Sequence, residues 1–159
     1  MGIPSMRSKI DYVAVLTGLL IFLGALGPWL WRGYDSYQVV DPETRDVELR
    51  YRMTTRMSPF YVVATTEEGE ATTGWFISPG TTLSGVTLIV AAALFPLRWR
   101  RPWVRGALSF ACILGCMTFF LSLGGGLWLG LVTRFSWGFQ ATVGGIALAL
   151  ITVFWERVS

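Results

Sequence analysis

The sequence predicts a membrane α-helical protein: a four-transmembrane-helix bundle carrying a small four-stranded antiparallel β-sheet in its first extracytoplasmic loop. Three observations lead there. First, 53% of the 159 residues are hydrophobic and only 14% are charged, against about 25% charged in an ordinary soluble domain. Second, four apolar runs are each long enough to cross a hydrocarbon core of about 30 Å as a helix. Third, the stretch Arg98-Trp99-Arg100-Arg101-Pro102-Trp103-Val104-Arg105 places four of the thirteen basic residues between two of those runs, with no acid among them. Short loops rich in arginine stay on the cytoplasmic side during insertion. Arg98, Arg100, Arg101 and Arg105, with Trp99 and Trp103 as half-wet aromatic anchors, therefore set orientation and meet lipid headgroups. An anionic lipid or an acidic partner is the sharper use of the same residues.

Taken in order, the chain opens with a short polar stretch holding Arg7 and Lys9. Helix one is expected over about 11–31. A signal peptide would have a shorter apolar run and a small-x-small cleavage site, so a retained helix is the reading. Met6 stands where myristoylation needs Ser or Thr. The basic start places the N-terminus inside, so the helix emerges outside near Gly27-Pro28-Trp29.

Residues 32–78 form the outer loop, with five arginines, eight acids and a net charge of −3. Val47, Leu49, Tyr51, Met53 and Met57 alternate with charged neighbours, the period of a strand with one dry face. Asp41-Pro42-Glu43-Thr44 has turn chemistry and folds 34–40 back on 45–57. Strands over 60–66 and 71–77 flank a second turn, Glu67-Glu68-Gly69-Glu70. Such a sheet is too small for a large core of its own. It either caps the helices or, through its edges and through Tyr51, Met53 and Met57, contacts another protein.

Ser78-Pro79-Gly80 is a helix start, with serine as N-cap and proline at the first helical position. Helix two runs over 79–97, and helix three over 104–132, with Gly124-Gly125-Gly126 in its outer part. Thr133 to Ser136 is read as a tight outer turn, and helix four covers 137–155. The whole is one membrane domain of a multi-pass cell-membrane protein with both termini cytoplasmic.

The chemistry searched for is mostly absent. The sequence has no histidine, which removes the commonest metal ligand and general base. No ionisable residue lies inside an apolar run, which argues against a pump, a proton-coupled transporter or a voltage sensor. Gln140 reads as an interhelical hydrogen bond. Cys112 and Cys116, spaced i, i+4, share a helix face with Gly115 and read as a packing seam, as do Gly18, Gly24, Gly144 and Gly145. Met53 and Met57 are too few for a copper site, and Asp41, Glu43, Asp46 and Glu48 read as a turn and a wet strand face rather than a calcium site. No metal or other cofactor is expected. The basic residues are divided between two faces, so nucleic acid is not expected either.

The layout resembles the claudin-like four-helix proteins, which also place a β-sheet in a large first outer loop. The resemblance is in topology: the Gly-Leu-Trp of that family falls here at Gly126-Leu127-Trp128 in helix three, and both cysteines also lie in that helix. Gly24, Gly27, Pro28, Trp29 and Gly80 also resemble the helix ends of uncharacterised small four-helix membrane proteins of prokaryotes. The leading expectation is a non-enzymatic accessory, scaffold or assembly subunit using its outer β-loop for protein contacts. Its partners would be membrane lipids and another membrane protein or a second copy. The alternatives are a claudin-like adhesion or self-associating surface protein, and a lipid or small-molecule transporter.

Overall fold

A computed structural model describes residues 6–43, 45–97, 102–123 and 133–158. The element order is α1 (Met6–Leu26), β1 (Leu30–Val40), β2 (Val47–Met57), β3 (Tyr61–Thr66), β4 (Ala71–Trp75), α2 (Pro79–Leu97), α3 (Pro102–Ser122), β5 (Thr133–Phe135) and α4 (Trp137–Val158). Among the described residues three helical stretches, in α2, α3 and α4, are long and apolar enough to cross a membrane; α1 contributes the shorter apolar stretch Tyr12–Leu26.

The four helices form an up-down-up-down ring. α1 packs on α2 and α4, α2 packs on α3, and the α3–α4 seam is the lightest. The closest crossing is between α1 and α4. A Cβ on Gly24 would lie 2.3 Å from Thr142 Oγ1, and one on Gly138 would lie 2.6 Å from the Gly27 carbonyl carbon. Here two helix backbones touch, which only glycine permits, and close packing of this kind holds helices together where lipid removes the hydrophobic drive.

α1 stops at Leu26 rather than near 31. Pro28 removes a backbone donor, and the Gly27 N–H closes the last turn on the Leu23 carbonyl at 3.0 Å. The apolar Leu30 and Trp31 then open β1 instead of ending the helix. α3 is described only to Ser122, so the glycine run at 124–126 and the expected extension to 132 lie outside the described residues. α2 begins as its sequence indicates: Ser78 Oγ accepts the Thr81 N–H at 3.2 Å.

The sheet has five strands, not four, in the order β4-β3-β2-β1-β5, with every pairing antiparallel. The fifth comes from the segment between α3 and α4. Leu30 pairs with Phe135, Trp31 with Arg134 and Arg32 with Thr133. The second outer turn thus completes the first loop's sheet and ties it to the start of α4.

The sheet stands on the bundle by one end. Burial along β1 and β2 falls from base to tip rather than dividing two faces cleanly. At the base, Trp29 and Leu30 belong to the helical core and Met57 packs against it. Trp29 is fully enclosed, with its ring 4.6 Å from Phe119 and 5.5 Å from Phe139. Its indole N–H donates to the Gly24 carbonyl at 2.9 Å, so the polar end of a buried tryptophan is satisfied. Pro59 and Phe60 sit against Gly85 of α2. The β1–β2 hairpin, 11 residues to a strand, rises about 35 Å at 3.3 Å per residue.

Candidate functional site

Two regions of the sheet are uncovered. At the tip, Asp41 Oδ1 accepts the Glu43 N–H at 2.8 Å, and the Asp41 N–H donates to the Asp46 carbonyl at 3.0 Å. Beside this turn Val40 and Val47 face each other across the strands, at 58% and 59% exposure, with Leu49 also exposed. Two polar contacts lie in the outer half. The Tyr37 hydroxyl donates to Glu67, joining β1 to the β3–β4 turn. That hydrogen bond, then desolvation and the carboxylate's charge, push the Tyr37 pKa up. Arg50 pairs with Glu48 at 3.0 Å, which raises the guanidinium pKa, the hydrogen bond being the larger cause.

The second uncovered region is β4, an edge strand exposed along its whole length. It ends at Trp75 and Phe76, at 65% and 67% exposure. Phe76 has a positive φ of 54°, a left-handed conformation costing a bulky residue of order 1 kcal/mol. Its N–H is held by the Phe60 carbonyl at 2.7 Å. This bend turns the chain from the sheet into α2.

The expected contact residues lie inward of these surfaces. Tyr51 is half-buried, with its ring edge-on to Trp31 at 5.2 Å and laid over Gly33, where a Cβ would come within 2.3 Å of Tyr51 Cδ1. Met53 is half-buried, and Met57 packs against the helical core.

The expected helix-packing residues divide. Gly18 lies against the Ala92 carbonyl of α2, Gly24 against Thr142 of α4, and Gly115 against Leu88 and Ser84 of α2. Gly144 instead faces open space on α4, and Gly145 takes the contact, against Ile21. Cys112 is buried and Cys116 half-buried, both as free thiols. Cys116 lines an entirely apolar groove of about 420 Å³ between α3 and α4, with Ile113, Met117, Phe139 and Val143.

At the other end of the bundle Trp103 is exposed, as is Trp155. Arg105, expected among headgroups, is buried in the first helical turns of α3. Arg98, Trp99, Arg100 and Arg101 lie outside the described residues. No group of three or more metal-ligating side chains occurs among the described residues.

One arrangement was hidden from the sequence. Arg134, Trp31 and Arg56 come from β5, β1 and β2 and form one cross-strand row. The Arg134 guanidinium lies 5.8 Å from the Trp31 ring centroid, within cation–π range. The three residues are 25 to 103 positions apart in sequence, and only the pairing register brings them together.

The chain matches no protein-family model, and no curated protein is significantly similar to it.

Proposed function

We propose that this chain is a non-enzymatic integral membrane protein, an accessory or scaffold subunit whose outer sheet contacts another membrane protein. In this reading α1 is a fourth span, through its apolar stretch Tyr12–Leu26. Both termini and the arginine-rich 98–105 turn are cytoplasmic, and the sheet is on the opposite side. The layout is then claudin-like. The observation that carries the reading is the uncovered β4 edge together with the apolar tip at Val40, Val47 and Leu49. An open edge offers unpaired backbone groups to a further strand, and exposed apolar patches on a solvated domain favour protein contact.

The test is affinity capture of the tagged full chain in mild detergent, followed by mass spectrometry. A stoichiometric membrane partner, lost from the Val40→Ser/Val47→Ser/Leu49→Ser variant, supports the reading. The β4 edge also suits β4 of a second copy, the self-associating alternative. A dimer containing no other protein would favour that one.

A further inference from the structure

We propose that the Arg134–Trp31–Arg56 row binds the phosphate of an anionic phospholipid in the leaflet on the sheet side of the membrane. The inference rests on the membrane placement proposed above and is independent of any protein partner. Three observations carry it.

The first is level. One position toward the bundle from this row stand Leu30, Met57, Val62 and Phe135. Leu30 is in the core, Met57 packs on it, and Phe135 stacks on Phe139 of α4 at 4.7 Å. On the row's own face, two positions inward, Tyr61 and Trp75 meet edge to face at 5.6 Å. Aromatic rings of this kind settle at the boundary between acyl chains and headgroups. Arginines two residues farther out, about 7 Å at the strand rise, are then level with the phosphates.

The second is spacing. Neighbouring strands are about 4.8 Å apart, so the two arginine backbones stand about 10 Å apart on either side of Trp31. Two flexible guanidinium groups at that separation can close on one phosphate, each offering paired N–H donors. The indole between them keeps the Arg134 cation in place.

The third is charge. Among the described residues Arg56 and Arg134 have no carboxylate partner. The same-face residues on either side, Gly33, Thr54, Val63, Thr65, Ala71, Thr73 and Trp75, carry no acid. Seven of the loop's eight acids gather instead at the far end, at Asp41, Glu43, Asp46, Glu48, Glu67, Glu68 and Glu70, and the eighth, Asp35, stands four positions outward from Trp31 along β1. The sheet is thus basic where it meets the membrane and acidic away from it. This polarity draws anionic headgroups to its base and repels them from its tip.

The test is native mass spectrometry of the full chain, released from mixed micelles of phosphatidylglycerol and phosphatidylcholine. Wild type is expected to retain phosphatidylglycerol preferentially. Arg56→Gln/Arg134→Gln should lose one retained phosphatidylglycerol and lower the preference about tenfold, as two headgroup contacts of a few-fold each require. Arg56→Lys/Arg134→Lys should keep it. The control Arg45→Gln/Arg52→Gln removes the same charge from exposed positions farther out on the sheet and should leave this lipid in place. Both arginines are exposed, so the variants should melt with wild type. An unchanged phosphatidylglycerol count in the glutamine variant overturns the proposal. So does binding of inorganic phosphate in lipid-free detergent with the same dependence on the two arginines, which would make this a soluble-anion site. A chain that captures no protein partner yet loses this lipid on substitution would overturn the accessory reading alone.

Discussion

Trp29 joins the two halves of the molecule. It ends the turn after α1, fills the space among Phe119, Phe120 and Phe139, and leads directly into β1. Trp29→Ala should cost about 3–5 kcal/mol through the cavity it leaves, read as a lowered midpoint of denaturant unfolding in detergent. Gly24→Val should cost about 1–3 kcal/mol, because the new side chain meets the Thr142 hydroxyl and, behind it, the backbone of Thr142 and Gly138. Gly144→Val, in open space, should lie within about 0.5 kcal/mol of wild type. The sequence marks both glycines as small but does not tell them apart. In a membrane helix the lipid face is as apolar as the packing face, so no polar stripe shows that Gly145, not Gly144, points inward. Tyr37 gives a pH test. Its folded pKa is raised, first by the hydrogen bond to Glu67, so the contact is complete at neutral pH and is lost as pH rises through that value. Ultraviolet titration of the phenolates should lose its late-titrating component in Tyr37→Phe; an unchanged curve would contradict the contact.

The elements differ in how plainly the sequence announces them. The 47–57 strand is legible from alternation, the 41–44 turn from Asp-Pro, and the α2 start from Ser-Pro. The end of α1 is less so, because Leu30 and Trp31 are as apolar as the helix before them, and only Pro28 signals the break. β5 is too short, at three residues, to display a period of two, and its strand character comes from its partner β1. The dry face read from Val47 to Met57 becomes a gradient because the buried end of the strand rests on helices. Amide exchange should follow that gradient. Protection is expected to be strongest at Trp29–Arg32 and Thr55–Met57, and weak at Val40–Val47 and along β4. Uniform protection along β1 and β2 would contradict a sheet held by one end.

At the scale of the whole molecule, a four-helix ring carries a sheet whose base is part of its own core. The sheet and bundle should therefore unfold together, and replacing residues 32–78 by a linker should disrupt the helices as well, since it removes the buried Ser58 and Pro59 and the half-buried Met57 that packs on the helical core. Exposed tryptophans mark both ends of the bundle, Trp75 and Trp137 by the sheet and Trp103 and Trp155 at the far side. The helical pattern of the sequence supplies this layout, but the register that aligns Arg134, Trp31 and Arg56 is a property of the folded sheet alone. The central claim is that the sheet and the arginine turn lie on opposite sides of a membrane. Cysteine labelling in intact cells with a membrane-impermeant maleimide tests it most directly, in a background with Cys112 and Cys116 changed to alanine. Pro42→Cys, at the hairpin tip, should label at once, and Trp99→Cys only after the membrane is permeabilised. Labelling of both from the same side would contradict the account.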